Sequence, residues 1–403
     1  MVSSQHATST ASSLDTGDVG VVEDYILDAD SSAEPVMSVV IPTMNEEEGI
    51  GTCLDWVKSA VAELRLPTEI IVSDSSSDRT PDIARECGAI VVEPDESGYG
   101  YAYRYAFERV RGEYIVMGDA DTTYDFSEIP RLLEHLEVTG ADIVMGSRLE
   151  GEIKPGAMPP LHQHVGNPLL TRFLNAFYDA GVSDAHSGFR VVTAEALEAM
   201  DCETDGMEFA SEMIMQAGAA NLDIEEVPIT YHEREGEETL DSFRDGWRHV
   251  RFMLVNAPSY LFSIPGLTLS TAGVLVMAFV MLGFPVGGVS LGPNSMIAGS
   301  LLLLVGYQVS SLGVFAVVAG DPIQEPSGPI ATWITESLSL ERAATAGLFV
   351  FAIGAGSALS LIWTWVNAGY GGVPFTNYSI LSFTAIVLGL QTIFSAFFLS
   401  MVD

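Results

Sequence analysis

The chain has 403 residues, of which 54 are Asp or Glu and 17 are Lys or Arg, so its formal net charge is −37. Such a charge repels nucleic acid phosphates and argues against nucleic-acid binding as the main function. Hydrophobic residues nevertheless make up 48% of the chain, a combination that one acidic soluble protein rarely has. The acidic and the apolar residues must therefore occupy different parts of the chain.

The acidic residues are concentrated in the N-terminal part. Residues 1–258 hold 49 acidic and 16 basic residues, a net charge of −33, whereas residues 259–403 hold five acids and one base. Lysine occurs only at Lys58 and Lys154. An acidic, lysine-poor surface is typical of proteins in concentrated salt, where a Debye length of about 3 Å at 1 M screens self-repulsion. We therefore expect a halophilic source; an acidic pI arising by chance is the alternative.

The N-terminus and the cysteines carry weaker signals. Residues 1–35 are rich in Ser, Thr, Ala and Asp, hold no apolar run of signal-peptide length, and are predicted to form a disordered acidic tail. Cys53, Cys87 and Cys202 are odd in number and lack C-x-x-C spacing. This pattern argues against a disulfide framework or a zinc site and predicts a reducing compartment.

Residues 36–240 alternate short apolar runs with helical patterns. Candidate strands are residues 37–41, 69–72, 89–92, 114–117 and 142–145. Between the first two, the apolar residues Ile50, Leu54, Val57, Val61 and Leu64 recur at helical spacing. The alternation predicts an α/β domain with a mainly parallel sheet and helices on both faces. Ligands of such domains bind beyond the carboxyl ends of the strands.

Two polar turns follow the first two strands. In the first, Asn45 is predicted to cap a helix whose first turn holds the acids at 46–48. In the second, Asp78 or Thr80 is predicted to cap the next helix. Asp74, at the end of the second strand, has no capping role to fill. Its carboxylate is suited to accept a hydrogen bond from a base N–H such as uracil N3.

The fourth strand is followed by Asp119 and Asp121. In an extended chain the side chains of residues i and i+2 point the same way, so both carboxylates can share one hard divalent cation, with diphosphate oxygens as further ligands. A calcium loop of the EF-hand type is excluded, because Tyr124 replaces its Gly and Pro130 its final Glu. His162, His164 and His186 lack a metal-site spacing.

Four long apolar stretches without formal charge follow, at residues 260–284, 294–319, 344–366 and 378–402. Each exceeds the roughly 20 residues that span a membrane as a helix. Residues 259–403 are therefore predicted to form a four-helix transmembrane domain. A large buried helical core is the alternative, and it would need helices that are apolar all round. Residues 241–258, with Arg244, Arg248 and Arg251 on one side, are predicted to form an amphipathic juxtamembrane helix. The positive-inside rule then puts residues 1–258 in the cytoplasm.

Taken together, the motifs resemble those of family 2 glycosyltransferases. They are Pro42-Thr43-Met44-Asn45-Glu46, Ser73-Asp74 with Asp78, Asp119-Ala120-Asp121, Gly146-Ser147-Arg148 and Asp184-Ala185-His186-Ser187-Gly188-Phe189-Arg190. The chain resembles the dolichyl-phosphate or polyprenyl-phosphate hexosyltransferase branch, which implies a GT-A fold over about residues 37–254. Two departures stand out: Ser73-Asp74 replaces a paired Asp, and Glu238-Thr239-Leu240 replaces a Ser-Lys-Leu segment.

The resemblance also implies roles for individual residues. The nucleotide-sugar pocket would be lined by Pro42, Asn45, Glu46, Asp74 and Asp119. Asp119 and Asp121 would hold Mg²⁺ or Mn²⁺. The acceptor phosphate would be bound by Arg148, Arg190 and Arg234, for which ordinary ion pairing is the alternative. Asp184 would orient the acceptor or act as a base, with a purely structural turn as the alternative.

The function expected from the resemblance is an inverting, metal-dependent transfer of a hexose, glucose from UDP-glucose, onto dolichyl or polyprenyl phosphate. The product would supply N-glycan assembly in a halophilic archaeon. A processive polysaccharide synthase is a second reading, although the Q/R-x-x-R-W segment of such enzymes is absent. A catalytically silent membrane scaffold is the third. The membrane helices also leave room for homo-oligomerisation.

Overall fold

The computed structural model describes residues 24–178, 180–236, 242–285, 287–320, 323, 340–371 and 376–402. The chain divides into two compact units, Met1–Val250 and Arg251–Asp403.

The described part of the first unit contains an eight-stranded sheet with the order β1-β3-β2-β5-β7-β6-β8, and β4 pairs with β3. The strands are β1 Ile26–Leu27, β2 Met37–Thr43, β3 Thr68–Asp74, β4 Ile90–Val92, β5 Tyr114–Met117, β6 Ile143–Ile153, β7 Arg190–Thr193 and β8 Ile224–Tyr231. All pairings are parallel except those of β7, which runs antiparallel between β5 and β6. The five predicted strands and the mainly parallel sheet are confirmed, whereas β1, β7 and β8 were not predicted.

Helices cover both faces of the sheet, as predicted. The helices of this part of the chain are α1 Ile50–Leu64, α2 Thr80–Glu86, α3 Tyr99–Phe107, α4 Ile129–Thr139, α5 Asn167–Tyr178, α6 Ala194–Ala199 and α7 Phe209–Ala219. A further helix, α8 Ser242–Val255, follows and crosses the boundary between the two units. A 3-10 turn at Phe126–Glu128 precedes α4, and a π turn at His162–Gly166 precedes α5. The strands β2 and β3 are buried along almost their whole length. Strands covered on both faces are expected to be continuously apolar, which is why their sequences do not alternate.

The N-terminal segment differs from the expectation of a disordered tail up to residue 35. Ile26 and Leu27 pair with Thr68 and Glu69 of β3, and Tyr25 packs against the core. The short strand is ordered because it satisfies backbone groups at the edge of β3. The remaining part of the predicted tail, residues 1–23, lies outside the described residues.

The start of α1 also differs from the prediction. The helix is capped by Gly49 and has no acid in its first turn, whereas Asn45 lies in the preceding loop with a left-handed φ of 60°. A Cβ at Gly49 would come within 2.6 Å of the carbonyl oxygen of Ala120. The helix start therefore contacts the backbone between Asp119 and Asp121, and only glycine permits this approach.

The second unit contains α9 Ile264–Leu282, α10 Pro293–Gly320, α11 Leu340–Asn367 and α12 Thr376–Val402, and a π turn at Ser259–Ser263 precedes α9. Among the described residues, four helices are long and apolar enough to span a membrane, Ser259–Leu282, Pro293–Val318, Glu341–Asn367 and Thr376–Met401. The four predicted spans are thereby confirmed.

Glycines hold these membrane helices together in pairs. A Cβ at Gly306 of α10 would lie 2.4 Å from the backbone nitrogen of Ser270 in α9, and one at Gly389 of α12 would lie 2.5 Å from that of Phe351 in α11. Such backbone contact is typical of helix pairs in lipid, where packing replaces the hydrophobic effect. Tyr307 of α10 donates a hydrogen bond to Thr392 of α12 at 2.8 Å and links the two pairs.

Candidate active site

The loops after β2 and β3 lie next to each other and are joined by hydrogen bonds. The carbonyl oxygen of the Asn45 side chain accepts a hydrogen bond from the backbone of Ser77 at 2.9 Å, and the Ser76 hydroxyl accepts one from the backbone of Asn45 at 2.7 Å. The Asp74 carboxylate accepts from the hydroxyls of Thr43 at 2.7 Å and Ser76 at 2.6 Å. The left-handed backbone of Asn45 is thus fixed by contacts on both sides.

This arrangement collects four of the residues predicted to line a nucleotide pocket. Pro42 and Asn45 belong to the end of β2 and its loop, and Glu46 donates its backbone N–H to the hydroxyl of Thr80 at 2.9 Å. Asp74 is buried. Its Oδ2 atom accepts one backbone hydrogen bond, from Ser76 at 3.2 Å, and a carboxylate oxygen has two lone pairs. Among the described residues Oδ2 has no second hydrogen-bond donor, so this is the oxygen of Asp74 that suits a donor such as a base N–H.

The prediction that Asp78 or Thr80 caps the next helix is wrong, because the N-cap residue is Arg79 and its side chain makes no capping hydrogen bond. Asp78, one residue earlier, instead bonds the first residue of the helix. Its carboxylate accepts hydrogen bonds from the backbone N–H of Thr80 at 3.0 Å and from the Thr80 hydroxyl at 2.6 Å. Thr80 is the first residue of α2, and Pro81 lies in its first turn. The loops after β2 and β3 are therefore both hydrogen-bonded to Thr80 at the start of α2.

Asp119 and Asp121 lie in the loop that follows β5, and each carboxylate has its own partners. Oδ1 of Asp119 accepts a hydrogen bond from the Tyr99 hydroxyl at 2.9 Å. Oδ1 of Asp121 accepts from the backbone and the hydroxyl of Thr123, at 3.1 Å and 2.5 Å. Thr122, between them, has a left-handed φ of 62°, a strained conformation of the kind that clusters at functional sites.

The acidic side chains around this loop raise one another's pKa. Burial, and after it the charge of Asp121, raises the pKa of Asp119 to about 7. Burial raises the pKa of Glu46 to about 7 as well, although the charge of Arg234 opposes this. Carboxylates in such surroundings gain from a neighbouring cation.

Arg234 supplies one such positive charge. Its Nη1 donates to Oδ2 of Asp121 at 3.1 Å, and its Nη2 donates to Oε1 of Glu46. The chain around Arg234 is held against the aspartate loop by backbone hydrogen bonds from His232 to Thr123 at 2.9 Å and from Glu235 to Asp121 at 3.1 Å. The end of β8 thus brings Arg234 to the two acids.

The two aspartates suit a hard divalent cation, whose preferred ligands are carboxylate oxygens. A Cβ at Gly188 would lie 3.2 Å from Oδ2 of Asp119, so the absence of a side chain there keeps this oxygen accessible. Among the described residues, no group of three or more His, Cys, Asp or Glu side chains is placed to hold a metal. Asp119 and Asp121 could therefore hold a cation if substrate oxygens and water supplied the remaining ligands.

Arg148 and Asp184, predicted separately as phosphate ligand and base, contact each other. The guanidinium of Arg148 binds both carboxylate oxygens of Asp184, at 2.8 and 2.9 Å, and its backbone N–H adds a third bond at 3.0 Å. Both residues are buried. Burial by itself raises the pKa of Asp184, but the charge and hydrogen bonds of Arg148 outweigh it and hold the pKa below its usual range. This geometry favours the structural reading of Asp184 over a base.

Arg190 is fully buried at the start of β7. Its side chain donates to the carbonyl oxygens of Ser187 at 2.9 Å, Ala185 at 3.2 Å and Ala210 at 2.9 Å, while Nη1 has no partner in the part of the chain that the structure describes. It forms no ion pair with any residue that the structure describes. The three arginines predicted as one phosphate pocket therefore have three different surroundings: Arg148 faces Asp184, Arg190 faces carbonyl groups, and Arg234 faces Glu46 and Asp121.

Several residues of this region were missed by sequence reasoning. Tyr99 begins α3 and bonds Asp119; Tyr124 accepts a hydrogen bond from the Gly188 backbone at 2.8 Å; Tyr231 stacks edge-on with Tyr124 at 5.3 Å. Tyrosines are ordinary core residues by composition, so no local pattern marks these three. Only the meeting of three distant segments gives them their positions.

Comparison with known proteins identifies the family. Residues 38–200 match the model of "Glycosyl transferase family 2", and residues 313–403 match "Glycosyltransferase family 2 C-terminal transmembrane region". The chain is 56% identical over 395 residues to the "Low-salt glycan biosynthesis hexosyltransferase Agl6" of Haloferax volcanii, covering 98% of this chain and 95% of that protein. It is 34% identical over 212 residues to the "Dolichyl-phosphate hexose transferase" of Haloferax volcanii, covering 52% and 89%.

Among solved structures, the chain is similar to glucosyl-3-phosphoglycerate synthase from Mycobacterium tuberculosis in complex with Mn²⁺, uridine diphosphate and glucosyl-3-phosphoglycerate. The identity is 22%, the TM-score is 0.46, and the likeness covers 63% of this chain and 86% of that chain. The two family matches and the relative of nearly the same length agree with the motifs and the α/β fold. The chain is therefore a membrane protein that belongs to glycosyl transferase family 2 and acts as a glycosyltransferase.

Proposed function

We propose that the protein transfers a hexose, glucose from UDP-glucose, onto dolichyl or another polyprenyl phosphate. The observation that carries this proposal is the convergence of Asp119, Asp121, Glu46 and Arg234 beside the two bonded loops of Asn45 and Asp74. An acidic pair that can share a divalent cation, with an accompanying arginine, suits the diphosphate of a nucleotide sugar, and Oδ2 of Asp74 suits a base N–H.

The donor would bind along the carboxyl edge of β2, β3 and β5. Asp74 would face the base, and the rigid left-handed turn at Asn45 would shape the pocket. Asp119 and Asp121 would hold Mg²⁺ or Mn²⁺, which when bound would neutralise charge on the leaving nucleoside diphosphate. Arg234 would add a fixed positive charge on the same side.

The acceptor is supported by the relatives and by the chemistry. The dolichyl-phosphate hexose transferase of Haloferax volcanii is 34% identical, and a dolichol-phosphate mannosyltransferase of Mycosarcoma maydis is 28% identical over 229 residues. A phosphate oxygen of the acceptor would attack the anomeric carbon from the face opposite the diphosphate. A carbon–oxygen bond to the lipid phosphate forms, the bond to the nucleoside diphosphate breaks, and the configuration inverts.

This reaction does not require a protein base. A phosphate monoester with a second pKa near 6 is largely ionised at neutral pH, so the acceptor needs orientation and charge screening. The engagement of both oxygens of Asp184 by Arg148 is compatible with that requirement. Arg190, whose Nη1 has no partner among the described residues, remains a candidate for contact with the acceptor phosphate.

The proposed location of the reaction is the cytoplasmic face of the membrane. Arg244, Arg248 and Arg251 precede the first span, and basic residues next to a span favour the cytoplasmic side. The lipid-linked sugar would supply glycan assembly, as the name of the relative with 56% identity suggests.

The test uses the purified full-length chain in lipid nanodiscs that contain dolichyl phosphate, with a panel of nucleotide sugars and product identification by mass. UDP-glucose should give a glucosyl-phospholipid that is lost on chelation and restored by Mg²⁺ or Mn²⁺. Asp121→Asn should abolish the product, whereas Asp55→Asn, at an exposed position on α1, should not. Product that persists in chelator would contradict the proposed metal dependence. A lipid-free polymer as product would contradict the proposed lipid phosphate acceptor.

A further inference from the structure

One segment of the first unit departs from its acidic composition. Residues 153–178 contain no Asp or Glu over 26 residues, the longest such run in residues 1–258, and their charged residues are Lys154 and Arg172. Lys154 pairs with Glu152 at 2.9 Å. In a region with a net charge of −33, an acid-free run of this length indicates that negative charge is excluded from the surface that it forms.

The structure shows which surface this is. The π turn and α5 form one continuous helical segment, and its inner face buries Thr171, Leu174, Phe177 and Tyr178. Its outer face exposes Leu161, Val165 and Leu169, at i, i+4 and i+8, with relative exposures of 68%, 53% and 50%. Arg172, which makes no ion pair with any described residue, is exposed on the next turn.

The clustering is specific to this segment. The described part of the first unit has six strongly exposed large apolar residues, Met44, Val138, Leu161, Val165, Leu169 and Trp247. Three of the six lie within the nine residues 161–169. Scattered apolar side chains are ordinary on a protein surface, but a contiguous row marks an interaction site.

We propose that the outer face of this segment, which we call the α5 face, is a docking surface for the lipid bilayer. The four membrane spans of the same chain anchor it to a bilayer, so lipid is always available as a partner for this face. A row of Leu and Val suits the boundary between head groups and acyl chains, and exposed Arg172 suits lipid phosphate groups. Carboxylates would be costly there, which explains why the segment has none. This assignment does not depend on the identity of the donor sugar.

Docking at this face bears directly on the loop that contains Asp184. Asn175 of α5 brackets Val182, donating to its carbonyl oxygen at 2.7 Å and accepting from its N–H at 3.1 Å. The Thr171 hydroxyl accepts from the backbone of Ala185 at 3.3 Å. The inner face of α5 therefore holds the loop that presents Asp184 to Arg148, while its outer face would rest on lipid.

The test identifies the occupant by photo-crosslinking in the full-length chain, in native membranes and in nanodiscs. Val165 is replaced by a diazirine amino acid, and Val138 on α4, 79% exposed, is the matched control. We expect phospholipid adducts at 165 and none at 138. Arg172→Gln should lower the adduct yield by up to about fivefold, whereas Arg85→Gln, whose parent arginine pairs with surface acids, should not.

Three outcomes would overturn the proposal. Crosslinks from 165 to a second copy of the chain would assign the α5 face to an oligomer, and crosslinks to another protein would assign it to a partner. Equal lipid adducts at 165 and 138, or none at either position in protein that still makes product, would show that the face has no preferred contact with lipid.

Discussion

Arg148 and Asp184 form a buried bidentate ion pair, with Nε 2.8 Å from Oδ2 and Nη2 2.9 Å from Oδ1. Arg148 ends the buried part of β6, and Asp184 belongs to the loop before β7, so the pair joins the two strands at the edge where the active site lies. Because the charge and hydrogen bonds of Arg148 hold the pKa of Asp184 below its usual range, this carboxylate is poorly suited to take up a proton.

The first prediction concerns the stability of this pair. Asp184→Asn should destabilise the protein by about 3–5 kcal/mol, because it leaves a buried guanidinium without its counter-charge. The double variant Arg148→Met with Asp184→Leu should lose less than Asp184→Asn alone, since neither charge then remains. Denaturant unfolding of the full chain in detergent measures both. If the double variant lost the sum of what Arg148→Met and Asp184→Leu lose separately, the pair would not be acting as a unit.

The pH dependence of the pair follows from the lowered pKa of Asp184. A carboxylate whose pKa is depressed in the folded state stabilises the fold fully above its unfolded pKa of about 3.9, and this contribution disappears as the pH falls through the folded value. We therefore expect the stability difference between the native chain and the double variant to be constant from pH 5 to 8 and to shrink in stronger acid. A change near neutral pH would indicate a titrating Asp184 and would revive its role as a base.

Removal of Arg234 should weaken donor use. Arg234→Ala leaves Glu46 and Asp121 without the cation that they share, and loss of charge-assisted hydrogen bonds should lower kcat/KM for the nucleotide sugar by about tenfold to a hundredfold. Steady-state kinetics at saturating acceptor measures the effect. Arg85→Ala, at an exposed ion pair on α2, is the control and should be silent. An unchanged kcat/KM in Arg234→Ala would place this arginine outside the donor site.

A paired glycine experiment tests the contact between α1 and the aspartate loop. Gly49→Ala brings a Cβ to 2.6 Å from the Ala120 carbonyl oxygen, so helix and loop must separate, at a cost of about 1–3 kcal/mol. Product formation should fall with it. In Gly51→Ala, two residues along the same helix, the new Cβ would meet only Ile83 at 3.7 Å. This control should be neutral or stabilise by up to about 1 kcal/mol; equal effects at both positions would contradict the close approach.

The acidity of residues 1–258 predicts a requirement for salt. In dilute buffer the acids repel over a Debye length of about 30 Å at 0.01 M, against about 3 Å at 1 M. The unfolding temperature of this part should therefore rise between 0.01 M and molar KCl, and activity should rise with it. The nearly chargeless spans should keep their helicity throughout. Thermal unfolding followed by circular dichroism separates the two parts, and a midpoint independent of KCl would leave the charge of −33 without a link to salt.

The helices and membrane spans were predictable because they depend on residues that are close together in the sequence. Helix α1 occupies Ile50–Leu64 as the spacing of its apolar residues indicates, and the four spans follow from unbroken hydropathy. Asp119 and Asp121 could be predicted beside the loops of Asn45 and Asp74, because parallel strands end at one edge of a sheet. The same local reasoning erred at Asn45, where close approach of another loop moved the cap to Gly49.

The partners of the charged groups were decided by the tertiary structure alone. Arg148 and Asp184 are 36 positions apart, and Arg234 is separated by 113 positions from Asp121 and by 188 from Glu46. In so acidic a chain each arginine has many possible acidic partners, and composition does not indicate which of them it pairs with. The antiparallel insertion of β7 between β5 and β6 brings Asp184 to Arg148, and the end of β8 brings Arg234 to the aspartates. A contact between distant segments forms only where the path of the chain makes them neighbours, and no local pattern encodes that path.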